Sequence, residues 1–173
     1  MTVTSVRRAG VQDAAAIALV NVRSWQAAYR GLVSDSVLDA LSVEEREVRW
    51  RERLERDEGT SFTLVAEHDA AVAGFCTVSV PSGDDDAGEL TAEVGAIYVE
   101  PDLRREGLGS TLLTAALDRL RADGWREATL WVFAENDVAR EFYGRFGFAP
   151  DRAEKTHERT GQTVVRLRAS LAD

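Results

Sequence analysis

Between residues 90 and 120, a β-prone stretch passes through a glycine-bearing turn into an amphipathic helix. The β-prone stretch covers residues 90–99 and is followed by Pro101, and the turn covers residues 104–109. After the turn begins, apolar residues recur at helical spacing, namely Leu108, Leu112, Leu113, Ala116, Leu117 and Leu120. In such a unit, the free N–H groups of the helix N-terminus and the positive end of the helix dipole converge on the turn. The segment therefore predicts an anion site at the end of a strand.

The composition of this turn favours a phosphate as the anion. Gly107 and Gly109 let the backbone approach a phosphate without a Cβ in the way. Arg104 and Arg105 add positive charge to an otherwise acidic chain. The turn lacks the Lys-Ser/Thr pair of a Walker loop and the third glycine of the dinucleotide fingerprint. An ordinary tight connection between a strand and a helix would explain the glycines equally well.

The rest of the chain alternates between stretches with the period of a strand and stretches with the period of a helix. Strands are predicted near residues 3–8, 61–67, 71–80, 90–99, 128–133 and 163–171. Helices are predicted near residues 14–29, 35–56, 108–120 and 137–146. The second of these regions opens with a short helical piece, after which Ser42 with Glu45 forms a capping-box signature for the next helix. This order predicts an α/β or α+β fold with a mixed sheet. No internal repeat or low-complexity linker divides the chain, so we expect one domain over residues 1–173.

Charge and residue counts narrow the functional classes. The net charge of −9, without any cluster of Lys and Arg, argues against nucleic-acid binding. No apolar run approaches the roughly 18 residues of a membrane span, and the N-terminus lacks a signal peptide's apolar stretch, so we expect a cytoplasmic protein without a membrane partner. The single cysteine, Cys76, is expected to be buried in a strand, and with only His68 and His157 beside it no metal site is predicted. The acidic residues 84–86 are expected to form a solvated connection.

Two blocks of the sequence resemble those of a known enzyme family. The first block reads Arg104-x-x-Gly107-x-Gly109 and follows the strand end Tyr98-Val99-Glu100-Pro101. The second block contains Asn136, Ala139, Phe142, Tyr143, Phe146, Gly147 and Phe148. At this separation the pair is similar to the coenzyme-binding blocks of the GNAT family of N-acetyltransferases, and the resemblance is strong over residues 90–148. The segment Ser24-Trp25-Gln26-Ala27-Ala28-Tyr29-Arg30-Gly31 also resembles a first-helix signature of one bacterial branch of that family.

The resemblance implies a fold and an activity. The fold would be a single α/β domain of mixed α+β character. Its twisted, mostly antiparallel sheet of six or seven strands would be flanked by about four helices, with strands 4 and 5 splayed to hold an acyl-CoA. The activity would be transfer of an acetyl group from acetyl-CoA, without a metal, to a primary amine that attacks directly in a ternary complex.

Several alternatives stay open within this resemblance. The acceptor would be a small-molecule amine, with a protein N-terminus or lysine as the next class. A noncatalytic acyl-CoA sensor and a general nucleotide-binding domain are the alternatives of another kind. The oligomeric state is open between a monomer and a homodimer.

The resemblance also assigns the coenzyme site residue by residue. The N–H groups of the loop would hold the pyrophosphate, and the backbone of strand 4 would pair with the pantetheine arm as an added strand. An N–H near Tyr98 would polarise the thioester carbonyl. Asn136 would contact the coenzyme arm, although it could also cap a helix. The implied coenzyme-binding residues are Ile97, Tyr98, Val99, Arg104, Arg105, Glu106, Gly107, Leu108, Gly109, Ser110, Asn136 and Tyr143.

The chemistry is assigned to two side chains. Tyr143 would place its hydroxyl near the sulfur and protonate the departing thiolate, whereas in the alternative it only packs in a helix. Glu93 stands where some family members carry a general base, and an exposed strand carboxylate is the alternative. Trp25 and Tyr29 would line the acceptor cleft or belong to the core. For Trp131 and Phe133 we expect core packing. The two histidines are expected in loops, without a catalytic role.

Overall fold

Seven strands and five α-helices form within the residues that the computed structural model describes, which are 4–56 and 61–172. The strands are β1 (Thr4–Arg8), β2 (Phe62–His68), β3 (Ala71–Ser79), β4 (Thr91–Val99), β5 (Glu127–Phe133), β6 (Ala149–Thr156) and β7 (Thr163–Ser170). The helices are α1 (Ala14–Ala28), α2 (Asp35–Asp39), α3 (Val43–Glu55), α4 (Leu108–Ala122) and α5 (Asp137–Gly144). Short 3-10 turns cover Val11–Asp13 and Pro101–Leu103.

The sequence signals account for most of these boundaries. The hydroxyl of Ser42 accepts a hydrogen bond from the Glu45 N–H at 3.2 Å, so a new helix begins there and the predicted helical region divides into α2 and α3. This division gives five helices instead of about four. The strand β6 was not delimited by the sequence because its side chains are mostly polar and exposed. His68 was expected in a loop and instead ends β2, while Val3 of the first predicted strand lies outside the described residues.

All seven strands form one sheet in the order β1-β2-β3-β4-β5-β7-β6. Every neighbouring pair is antiparallel except β4 and β5, which are parallel. The parallel pair needs a crossover, and α4 supplies it. The predicted mixed, mostly antiparallel sheet is confirmed.

The strands β4 and β5 pair over three residues only, from Thr91 to Glu93, and separate beyond that point. The register between β3 and β4 shifts so that Gly95 of β4 has no partner on β3, which marks a β-bulge. A Cβ on Gly95 would lie 2.8 Å from the Thr77 hydroxyl oxygen, so the close approach at this bulge requires glycine. The predicted splaying of strands 4 and 5 is therefore confirmed.

Helices cover the two faces of the sheet. Leu112, Leu113 and Leu117 of α4 pack with Cys76 and Leu130 on one face, and Cys76 is fully buried as expected. On the other face, a cluster of residues from α1, α3, β2 and β3 contains Ile17, Val20, Leu54, Val65 and Phe75. Within β4, Ile97 and Val99 contribute to the first cluster and Ala96 and Tyr98 to the second, as the alternation of a strand requires. Among the described residues, no helix is both long and apolar enough to cross a membrane.

Candidate active site

A cleft of about 1320 Å³ opens where β4 and β5 separate. Its walls come from the bulged half of β4, the end of β5, one side of α1, the start of α3, the loop before α4, and α5. These elements are far apart in the sequence, and the separation of two sheet strands brings them to one place. The cleft collects all of the predicted coenzyme residues except Glu106.

The loop at residues 104–110 has the geometry of an anion site. Gly107 adopts φ +83°, a left-handed conformation that favours glycine, and no atom lies within 4 Å of the place where its Cβ would be. The first hydrogen bond of α4 runs from the Thr111 N–H to the Gly107 carbonyl at 2.9 Å. The N–H groups of Leu108, Gly109 and Ser110 therefore have no carbonyl partner within the helix. They leave an open space that can receive an anion.

The side chains of this loop have different environments. Arg104 donates to the Ser24 carbonyl at 3.3 Å, and the Ser24 hydroxyl donates to the Val99 carbonyl at 2.9 Å. These two bonds fix α1 against the end of β4 and the start of the loop. The Leu108 side chain is buried in the core, so only its backbone faces the cleft. Arg105 is exposed to solvent.

Tyr143 and Asn136 lie on the opposite side of the cleft, at α5. The Asn136 carboxamide oxygen accepts a hydrogen bond from the Ala139 N–H at 3.1 Å, so Asn136 is the N-cap of α5. The Tyr143 ring packs edge-on against Phe142 and Phe148. Burial, followed by the proximity of Tyr98 and Cys76, raises the pKa of Tyr143. Its hydroxyl therefore stays protonated at neutral pH and is a hydrogen-bond donor.

Glu93 is half-buried at the point where β4 leaves β5. Burial raises the pKa of this carboxyl group, and the charge of Asp84 raises it further. The charge of Lys155, the Ser82 hydroxyl at 3.4 Å and a backbone contact at Gly83 oppose this rise. A carboxylate with a raised pKa is a better proton acceptor than an ordinary exposed one. Simple alternation would put Glu93 and Tyr98 on opposite faces, but the bulge at Gly95 shifts the alternation by one residue, so both lie on the same face of the sheet.

The acidic connection at residues 81–88 is not the solvated loop that the sequence predicted. Arg166 of β7 is 4% exposed and bonds Asp86 at 2.6 and 2.7 Å, Asp84 at 3.2 Å and Asp151 at 2.7 Å. Asp84 also accepts from the Trp131 indole N–H at 3.1 Å. These contacts hold the connection against β5 and β7, which places Ser82 beside Glu93. The acidic residues look solvent-facing in the sequence because their partner is about 80 residues away.

Aromatic side chains form the wall of the cleft next to α1. Trp25 and Tyr29 are both 8% exposed, and the Tyr29 hydroxyl lies 3.0 Å from that of Tyr98. Trp25, Tyr29 and Phe133 pack edge-on against one another. Trp25 and Tyr29 are thus core residues that also line the cleft, so the two interpretations of them hold together. The same wall contains a residue that sequence reasoning did not assign, His157.

His157 follows β6 and packs between Trp25 and Phe133, with ring centroids 5.9 and 5.3 Å away. Burial, with the nearby charge of Arg159, lowers its pKa. A lone histidine in a polar turn gives no sequence signal for this position. Trp131 was expected in the core but is half-buried, lines the cleft and carries the Lys155 ammonium 4.0 Å above its ring.

This fold and cleft agree with the matches found among known proteins. The acetyltransferase (GNAT) family model matches residues 22–148, and the chain belongs to this family of N-acetyltransferases. The general nucleotide-binding alternative is therefore set aside. The chain is 30% identical over 166 residues to YuaI of Bacillus subtilis, an uncharacterized N-acetyltransferase, covering 95% of this chain and 88% of that protein.

Solved structures show the same fold. The PaiA N-acetyltransferase of Thermoplasma acidophilum, in complex with coenzyme A, superimposes with a TM-score of 0.79 at 20% identity, over 95% of this chain and 98% of that one. The putative acetyltransferase yncA of Salmonella typhimurium, with acetyl-CoA, gives a TM-score of 0.72 at 19% identity, over 99% of this chain and 95% of that one. Both were solved with a form of the coenzyme.

The ion cluster around Arg166 yields a test of how the cleft is held together. We expect Arg166→Met to lower the free energy of unfolding by about 3–5 kcal/mol, because it leaves partly buried carboxylates without their counter-ion. Urea denaturation followed by circular dichroism measures this change. Arg121→Met is the control, since its pair with Asp118 at 3.0 Å is on the surface and should contribute less than about 1 kcal/mol. Equal effects of the two variants would contradict the structural role of the cluster.

Proposed function

We propose that residues 1–173 form one acetyltransferase domain that transfers an acetyl group from acetyl-CoA to the primary amine of a small molecule. The observation that carries this proposal is the separation of β4 from β5 directly beside an open helix N-terminus. The separation leaves β4 with a strand edge whose backbone groups are unpaired. The N-terminus of α4 supplies unpaired N–H donors at the end of that edge. A ligand with an extended amide-bearing arm and a pyrophosphate matches both.

The residues around this opening fit the coenzyme. The N–H groups of residues 105–110 would bind the pyrophosphate, and the charges of Arg104 and Arg105 would add to the attraction. The backbone of Ile97, Tyr98 and Val99 would pair with the pantetheine arm, and an N–H near Tyr98 would polarise the thioester carbonyl. Asn136 would act mainly by fixing the start of α5, which carries Tyr143. The coenzyme supplies the activated acetyl group when it is bound.

Two side chains would manage the protons. The acceptor arrives as an ammonium ion and must lose a proton before its nitrogen can attack. Glu93 would take this proton, directly or through water, because its raised pKa makes it a competent base. As the new C–N bond forms and the C–S bond breaks, the protonated Tyr143 hydroxyl would donate to the leaving sulfur. The presence of both groups in one cleft favours a direct ternary-complex reaction over a noncatalytic sensor.

Coenzyme binding is tested by two matched glycine substitutions. Gly107→Glu should weaken acetyl-CoA binding at least about tenfold, since it puts a negative side chain into the anion site. Gly124→Glu is the control, because Gly124 has φ +86° and an equally open surrounding at the other end of α4. Both variants carry the same backbone strain and the same charge change. Calorimetric titration should show loss of binding in the first variant only, and equal binding in both would refute the site.

The role of Tyr143 is tested by removing one oxygen atom. Tyr143→Phe keeps the packing against Phe142 and Phe148 and removes the donor. We expect kcat to fall about 100-fold, a typical effect of losing a general acid. The Kd for acetyl-CoA, measured by calorimetry, should change by less than about twofold. An unchanged kcat would show that the tyrosine only packs.

The role of Glu93 is tested by the pH dependence of kcat/KM. Because the pKa of Glu93 is raised, its basic form is present only above this raised value. The wild-type rate should therefore rise with pH through that value, and Glu93→Gln should lose this limb and at least about 100-fold in rate. Glu154→Gln, on the exposed face of β6, is the control and should keep the wild-type profile. A profile of Glu93→Gln that matches the wild type would exclude Glu93 as the base.

A further inference from the structure

Arg46 of α3 is a half-buried cation in the cleft, and none of the described residues gives it a negatively charged partner. Its guanidinium donates to the Asn21 carboxamide oxygen at 2.8 Å and lies 5.5 Å from the centre of the Trp25 ring. Within residues 4–56 and 61–172, no carboxylate forms an ion pair with it. A guanidinium has five N–H donors, and the structure gives Arg46 one strong acceptor for them.

The surroundings of Arg46 and Arg166 shift the pKa values of the two side chains in opposite directions. Arg166 is also withdrawn from water, but three aspartates surround it and raise its pKa. The pKa of Arg46 is lowered instead, first by burial and then by the positive charges of Arg159 and Arg49. Removing a charge from water without a counter-ion costs free energy. A position that retains such a charge at the edge of a cleft is suited to an anion that arrives with a ligand.

The surroundings of Arg46 extend this positive region. Arg53, seven residues further along α3, also lines the cleft, and its guanidinium lies 5.8 Å from the centre of the Trp50 ring. Arg49 and Arg159 add charge from nearby, in a chain whose net charge is −9. The positive charge at this end of the cleft is therefore a local feature of a protein whose net charge is negative. An anionic group on a ligand would be attracted to this region.

The position of Arg46 links it to the acceptor and not to the coenzyme loop. Arg46 contacts Trp25 and is close enough to Tyr98 for its charge to be felt there, so it lies on the sheet face covered by α1 and α3. Glu93 lies on this same face of β4, beyond the bulge. The pyrophosphate loop has its own donors at the start of α4. This face therefore carries a base for an ammonium group and a separate cation for a second group.

We propose that the acceptor carries an anionic group, such as a carboxylate or a phosphonate, in addition to its amine, and that Arg46 binds this group. The acceptor class would be amino acids or aminophosphonates. This inference rests on the proposed acetyl transfer and names its substrate class. The acidic net charge alone would have favoured a purely cationic amine.

The test compares anionic amines with their neutral counterparts. Coenzyme A release from acetyl-CoA is measured with free L-amino acids against the matching L-amino acid amides, and with 2-aminoethylphosphonate against ethanolamine. The variant is Arg46→Gln, which removes the charge and keeps an N–H donor for Asn21. The control is Arg51→Gln, an exposed arginine of the same helix that pairs with Glu47 at 3.0 Å and does not line the cleft.

The measured quantity is the ratio of kcat/KM for the anionic member of a pair to kcat/KM for the neutral member. For a responsive pair this ratio should fall at least about tenfold in Arg46→Gln, as for loss of a charge-assisted hydrogen bond. It should stay at the wild-type value in Arg51→Gln and be partly kept in Arg46→Lys. Because the ratio is compared between variants, differences in amine pKa between the pair members cancel. The arm that responds distinguishes a carboxylate from a phosphonate.

Two outcomes would overturn the inference. If Arg46→Gln leaves the ratio unchanged for every pair, the anion site is wrong while acetyl transfer to amines stands. If acetyl-CoA binds but no amine of either kind releases coenzyme A, both the small-amine acceptor and the anion site fail.

Discussion

The separation of β4 from β5 is the constraint on which the rest of the site depends. Pairing stops after Glu93, and the bulge at Gly95 turns the remaining half of β4 away from its neighbour. An unpaired strand edge inside a protein leaves backbone groups that need partners, so it is suited to a ligand that adds as a strand. The two strands run parallel, so the connection between them crosses over, and the N-terminus of α4 arrives at the end of the free edge. The free edge of β4 and the position of the α4 N-terminus thus both follow from the parallel arrangement of β4 and β5.

A second interaction, the ion cluster around Arg166, shapes the far side of the opening. It holds residues 81–88 against β5 and β7, and this placement brings Ser82 and Asp84 to Glu93. Burial is the main cause of the raised pKa of Glu93, and the charge of Asp84 from this connection raises it further, while the Ser82 hydroxyl opposes the rise. The hydroxyl pair of Tyr29 and Tyr98 similarly joins α1 to β4 across the acceptor face. The environment of the proposed base is produced by contacts between distant segments.

The geometry of the loop at residues 104–110 could be predicted from the sequence because its signals are local. The strand, the turn with Gly107 and the start of α4 are consecutive, so their pattern is visible without knowledge of the fold. The family resemblance specified the splayed strands. The other walls of the cleft could not be predicted in the same way. Arg46 reads as one more charge on a polar helix, His157 as a turn residue, and Asp84 as part of a solvated loop. Each acquires its role from neighbours that are tens of residues away.

The buried Arg166 and the half-buried Arg46 show how one residue type can serve structure and recognition in the same domain. The carboxylates that pair with Arg166 belong to the same chain, so its charge is neutralised when the chain folds. Arg166 therefore serves the structure. Arg46 is withdrawn from water beside Trp25 with a neutral amide as its bonded partner. These contacts offset part of the cost of burying its charge, and an anion that arrives with a ligand would offset the rest, so this free energy becomes available for binding. A cation of this kind, on the face that also carries Glu93, selects for a ligand with two opposite charges.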